Sequence, residues 1–89
     1  MAVLQPVPPA YIQARWAALG AAMKLKRIPA LLVSYYPDVS YLTGFEGDDS
    51  WAIITSDQVW LISDFRYQEQ IAQQCPWVKP VIRRKGLAE

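Results

Sequence analysis

The chain has 89 residues, enough for one domain with a modest core, and 53% of them are hydrophobic, which excludes a disordered polypeptide. Nine basic against eight acidic residues leave a net charge of +1, so no broad field favours nucleic acid or an anionic membrane. Histidine is absent and Cys75 is the single cysteine, which excludes Ser-His-Asp and Cys-His catalysis, His-ligated metal sites and an internal disulfide within this chain.

Met1–Pro9 carries Pro6, Pro8 and Pro9 and is predicted to be extended up to the first turn of a helix. It has no basic stretch followed by an apolar one, as a signal peptide would, and no apolar run reaches transmembrane length. The expectation is a cytoplasmic protein without a membrane partner. From Ala10 to Arg27 the pattern is helical, with Ile12, Trp16, Leu19 and Met23 on one face. Lys24, Lys26 and Arg27 suit the C-terminal end of the dipole, and Pro29 is expected to stop the helix. Gly20 costs about 1 kcal/mol in mid-helix relative to alanine, so close packing is expected there.

Ala30–Tyr36 is a short, nearly continuous apolar run and predicts a strand covered on both faces. Pro37-Asp38 breaks it. Asp38 or Ser40 is expected to cap one helical turn over Val39–Leu42, which Gly44 ends. Trp51–Thr55 and Val59–Ser63, separated by Ser56-Asp57-Gln58, predict a hairpin. Asp64 is placed as N-cap of a helix over Phe65–Gln74, with Phe65, Ile71 and Ala72 inward, and Pro76 ends that helix. Trp77–Arg83 predicts a last strand, which Pro80 confines to an edge, a bulge or an irregular path. The sum is an α/β fold with a mixed sheet. Its last edge is unfinished, so the chain is expected to continue or to meet a partner.

The densest chemistry lies in residues 41–51, "YLTGFEGDDSW". Asp38, Glu46, Asp48 and Asp49 fall within twelve positions. They do not follow the alternating oxygen ligands of a calcium loop, which leaves a solvated turn or a loop that meets a partner or a charged ligand. Nothing in the sequence joins Asp49 and Asp64 into an acid–base pair. The glycines at 20, 44, 47 and 86 match no phosphate-binding loop. Cys75 is expected to be a buried or half-buried thiol. Lys79, Arg83, Arg84 and Lys85 read as a small solvated basic patch or an interface, with phosphate binding as the alternative. Arg66, second in its helix, opposes the dipole and calls for a carboxylate partner, within the domain or across an interface.

"YLTGF", a short loop, a hairpin and then "DFRYQEQ" together resemble the amino-terminal domain of the creatinase/prolidase family, which includes Xaa-Pro aminopeptidases and Xaa-Pro dipeptidases. Arg15, Leu19 and Met23 fit that family's first helix, and Ala30–Val33 its first strand. Tyr41, Leu42, Thr43, Gly44 and Phe45 fit the central motif, and Asp64, Arg66 and Tyr67 the last, over about residues 12–75.

The resemblance implies a layered α/β fold with a mixed sheet, similar to ribonuclease H, spanning residues 1–89 and incomplete at its C-terminal end. It implies that the chain holds no metal ligand and no catalytic residue. Two divalent ions, often manganese, are expected in an absent pita-bread catalytic domain, bound by two Asp, one His and two Glu. The implied partners are that catalytic domain, a second subunit in a homodimer, and a peptide substrate. Phe45, Glu46, Asp48, Asp49 and Arg66 are the expected substrate-side residues, reaching a neighbouring subunit's pocket, with Tyr41, Leu42, Thr43, Gly44, Asp64 and Tyr67 as the structural motif. Glu46-Gly47-Asp48-Asp49 departs from the small residues usual in the family. Phe65 replaces a usual glycine, which implies an ordinary, non-left-handed backbone there. A peptide- or protein-binding module of a catalytically silent relative, and a creatinase-like amidinohydrolase, are the alternative readings.

Overall fold

The computed structural model describes residues 6–83. Helix α1 spans Ala10–Lys26, strand β1 Ala30–Val33, helix α2 Tyr36–Thr43, and strands β2 and β3 Trp51–Thr55 and Val59–Asp64. A 3-10 turn over Phe65–Tyr67 leads into helix α3, Gln68–Gln74, and strand β4, Lys79–Arg83. Arg84 and Lys85 of the basic cluster lie outside the described residues.

The four strands lie in the order β1-β2-β3-β4. The first three form an antiparallel meander, and β4 joins β3 in parallel through α3. The hairpin turn is held by Thr55, whose Oγ1 accepts from the backbone N–H groups of Asp57 and Gln58 at 3.3 and 3.2 Å. A hydroxyl therefore does here what an Asn-Gly pair would do in a tighter loop.

Alternation along the strands sorts the sheet into two faces. Ala52, Ile54, Val59 and Leu61 share one core with Met23 of α1, Val39 and Leu42 of α2, and Ile71 of α3. The opposite face carries Leu32, Ile53 and Trp60 in one row and Trp51, Ile62 and Val81 in the next. None of these six belongs to that core; Leu32 and Val81 are exposed and the others half-buried.

Several expectations are corrected. α1 ends before Pro29 acts: Arg27 turns left-handed at φ 58°, and the Ile28 N–H reaches back to the Met23 carbonyl at 2.8 Å. That is a Schellman closure made without glycine. Around Gly20 a Cβ would meet nothing within 4 Å, so no close packing requires it. β1 stops at Val33 and is an edge strand among the described residues; Leu31 and Val33 are half-buried while Ala30 and Leu32 are exposed. α2 is longer than one turn because Pro37 sits in its first turn, where a missing N–H costs nothing. Its N-cap is Tyr35, and neither Asp38 nor Ser40 caps it. The 3-10 turn rotates the following residues, leaving Phe65 and Ala72 exposed and Ile71 alone buried in α3. Phe65 has no positive φ, in keeping with ordinary backbone at that position. Pro80 lies within β4, the other edge among the described residues, where its missing N–H removes no central ladder bond.

Candidate functional site

The site grows from the end of α2. A helix leaves its last four carbonyls without helical partners. Here each one is taken. Gly44 N–H donates to the Ser40 carbonyl at 2.8 Å, and Arg15 Nη1 to that of Tyr41 at 2.8 Å. Trp16 Nε1 donates to the Leu42 carbonyl at 2.6 Å, and Trp77 Nε1 to the Thr43 carbonyl at 2.9 Å. Gly44 has φ 83°, and a Cβ there would press on Ile12 and Trp77 at 3.3 Å. Glycine satisfies both the turn and the close approach.

Thr43 is fully buried; its Oγ1 donates to the Val39 carbonyl at 2.7 Å and accepts from Phe45 N–H at 3.0 Å. Phe45, also fully buried, meets the Tyr67 ring edge to face at 5.5 Å. Phe45 is thus withdrawn from the substrate-side rim expected of it and supports the loop from beneath. Gly47 lies over these rings: a Cβ would stand 2.7 Å from Phe45 Cε2 and 3.1 Å from Tyr67 Cδ1. Tyr41, one of the expected structural-motif residues, is 55% exposed, with the Arg15 guanidinium 3.8 Å from its ring centroid.

The loop backbone is pinned from both sides. Tyr36 Oη donates to the Glu46 carbonyl at 3.1 Å, and Glu46 N–H donates to Gln74 Oε1 at 2.9 Å. Tyr67 Oη donates to Asp48 Oδ1 at 2.5 Å. Asp49 turns left-handed at φ 51°, a conformation aspartate tolerates better than most residues. Ser50 and Ser63, both buried, share a 2.8 Å hydrogen bond that ties the loop's end to β3.

Arg66 finds the carboxylates it requires within the domain. Its Nε lies 3.1 Å from Asp64 Oδ1 and its Nη2 3.8 Å from Asp49 Oδ2. Asp49 and Asp64 are therefore brought together through a shared cation. Asp64 also accepts from the Arg66 backbone N–H at 2.9 Å. That bond is the main reason its carboxyl is held below the ordinary range, burial opposing it and the Arg66 guanidinium adding to it. Arg66 is raised in turn by its hydrogen bond to Asp64. Tyr67 is raised chiefly because its proton is engaged by Asp48, and secondarily by burial. Cys75 is buried, and desolvation pushes its thiol to about 12.

These shifts favour fixed charge, not proton exchange near neutral pH. Glu46, Asp48 and Asp49 are exposed; Tyr36 and Gln74 hold the Glu46 backbone, and Tyr67 holds the Asp48 carboxylate. Among the described residues no group of three or more His, Cys, Asp or Glu is arranged to hold a metal ion. The arrangement can present a negative rim to a cationic or hydrogen-bond-donating group. Tyr36, Gln74, Ser50, Ser63 and the two indole donors were not singled out by sequence, because each acts through a neighbour far away in the chain.

A family model described as the creatinase/prolidase N-terminal domain matches residues 15–89, which include every element of this site. The chain belongs to the creatinase/prolidase N-terminal domain family. The domain is 40% identical over 47 residues to the uncharacterized peptidase YqhT of Bacillus subtilis, a match covering 53% of this chain and 13% of that protein. It superposes with a TM-score of 0.78 on a solved creatinase/prolidase-like N-terminal domain from Corynebacterium diphtheriae, at 35% identity, covering 88% of this chain and 63% of the other. It superposes equally, TM-score 0.78, on an Xaa-Pro aminopeptidase structure from Streptococcus pyogenes, at 28% identity and 83% and 57% coverage. The chain thus spans a small part of the curated relative and under two thirds of either solved chain. The mixed sheet with its helices matches these neighbours.

Proposed function

We propose that this domain is the non-catalytic amino-terminal part of a cytoplasmic, metal-dependent peptidase that hydrolyses Xaa-Pro bonds, and that its acidic loop forms one wall of the peptide cleft. The observation that carries this reading is the pinned loop: Glu46, Asp48 and Asp49 are exposed, the Glu46 backbone is held by Tyr36 and Gln74, and the Asp48 and Asp49 carboxylates are held by Tyr67 and Arg66. Likeness to an Xaa-Pro aminopeptidase supports the substrate class. Glu46, Asp48 and Asp49 are the rim and reach a neighbouring subunit's pocket in a homodimer; Arg66 holds the rim in place. Two divalent ions, manganese for example, belong to the catalytic domain, and no residue of this chain is assigned to them.

The test uses the whole peptidase. Replacing both Asp48 and Asp49 by Ala raises KM for Xaa-Pro peptides roughly tenfold with kcat little changed, as loss of ground-state binding does. If KM and oligomer mass both stay at wild-type values, the loop is no part of the cleft. If the natural full-length product fails to cleave before proline with manganese supplied, the peptidase reading falls with it.

A further inference from the structure

Around α2 the hydrogen-bonding groups are unevenly used. The backbone acceptors are engaged: Gly44 N–H takes the Ser40 carbonyl, Arg15 that of Tyr41, Trp16 that of Leu42, and Tyr36 Oη that of Glu46. The donors are not. A guanidinium carries five N–H groups; Arg15 gives one to Tyr41 and forms no salt bridge among the described residues. The hydroxyls of Tyr11 and Tyr41 also have no hydrogen-bond partner among the described residues. Three rings accompany these donors, Tyr11 58%, Tyr36 46% and Tyr41 55% exposed. Two of the rings frame the cation: the Arg15 guanidinium lies 3.8 Å from the Tyr41 centroid and 5.0 Å from that of Tyr11.

The helix sets the spacing of the rings. At 3.6 residues per turn, Ser40 and Pro37 fall on the arc between Tyr36 and Tyr41, so two aromatic side chains flank two small ones. Asp38 falls beyond Tyr41 and lines the same groove as Tyr41 and Arg15. An anion seated on Arg15 would meet this carboxylate, so the surface suits a neutral ligand. Its complement is rich in acceptors, poor in donors and apolar at the rings. A proline-rich segment has those properties: proline lacks an N–H, the polyproline II form makes no internal hydrogen bonds, and its carbonyls and flat rings face outward.

We infer that Tyr11, Arg15 and Tyr41, with Tyr36 beside them, bind an extended, uncharged proline-rich peptide. The tyrosine faces take the proline rings, and the Arg15 N–H groups and the two free hydroxyls donate to the peptide carbonyls. Such a segment is extended before it binds, so little chain entropy is lost on docking. The surface meets the acidic loop at the Tyr36–Glu46 hydrogen bond, so a long peptide lying in the proposed cleft continues onto it. That continuation rests on the peptidase reading. The binding needs none of the peptidase chemistry, so either reading can fail alone.

The probe is octaproline, acetylated and amidated so that it carries no charge, titrated into the isotopically labelled 89-residue chain and followed by amide NMR signals. The expected result is saturable movement of the Tyr11, Arg15 and Tyr41 signals with half-saturation at about 1 mM, a weak peptide contact. Tyr11→Ala and Tyr41→Ala, both at exposed positions, each weaken binding about fivefold, the loss of one aromatic contact, while signal dispersion stays native. Phe65→Ala, which removes a ring of similar exposure (54%) on the 3-10 turn, leaves binding unchanged. No movement up to roughly 5 mM overturns the inference. So does equal binding of a glycine-serine peptide of the same length, which has no preformed extended helix. Binding that requires a free terminal carboxylate makes Arg15 an anion site and overturns it too. Affinity that both tyrosine variants leave intact, or that Phe65→Ala lowers as much as they do, has the same consequence.

Discussion

Among the described residues, β4 forms one edge of the sheet with Lys79, Pro80 and Arg83, and β1 forms the other with Ala30, Leu31, Leu32 and Val33. The contrast extends to what lies beside each edge. Next to the end of β3 the loop after Phe45 is polar, and its Glu46 amide, Ser50 hydroxyl and Asp48 and Asp49 carboxylates are tied to Gln74, Ser63, Tyr67 and Arg66. Beside β1 the surface of α1 is alanine and leucine over a half-open groove. The first region satisfies itself within one chain. The second leaves apolar surface, Leu25 and Leu32 among it, exposed.

Substitutions in the loop's support break the first half of the contrast. Phe45→Ala has the largest expected effect, a loss of about 3–5 kcal/mol, because a fully buried ring vanishes beneath the loop. Urea unfolding measures it, and a loss below about 1 kcal/mol contradicts the packing described. Gly47→Ala comes next: the added Cβ meets two rings, and overpacking of this kind costs about 1–3 kcal/mol. An equally stable variant means the loop can move aside and is not pinned.

Tyr67→Phe removes only the hydroxyl that Asp48 accepts, and is expected to cost about 1 kcal/mol with the ring packing kept. The pH dependence of Asp64 sharpens the same point. Its folded carboxyl lies below the ordinary value, so the unfolded chain takes up the proton first. The stabilisation is complete above the unfolded pKa of about 3.9 and is lost as pH falls through the folded one. Melting temperatures of wild type and Asp64→Asn should therefore differ at pH 6 and converge toward pH 2. A constant gap across that range contradicts a carboxylate held chiefly by the Arg66 backbone N–H and further by its guanidinium. The smallest effect is expected far from the loop, where Gly20→Ala stabilises α1 by up to about 1 kcal/mol because a Cβ meets open space.

Much of the fold was legible because its signals are local. The four-three-four spacing of Ile12, Trp16, Leu19 and Met23 marks the inner face of α1, and Asp64 announces the cap that Arg66 N–H fills. Other features depend on contacts distant in the chain. Whether Ala30–Val33 is central or an edge is a matter of sheet order, which no property of the strand itself decides. Phe45 looked like a loop residue because its burial comes from Tyr67, 22 positions later (67 − 45). The inward positions of α3 were displaced by a 3-10 turn that shifts the helical phase, exposing Phe65 and Ala72. Of the site, the carboxylates and Arg66 were readable by type. The groups that fix them, Tyr36, Gln74 and the paired serines, were not.

Amide hydrogen exchange tests the contrast most directly, since it reads both regions in one experiment. The account predicts that the amides of Phe45 and Glu46, which donate to Thr43 Oγ1 and Gln74 Oε1, exchange far more slowly than the outward-pointing amides of the Ala30–Val33 edge. Loop amides that exchange as fast as those of the open edge would contradict a loop held by its own chain.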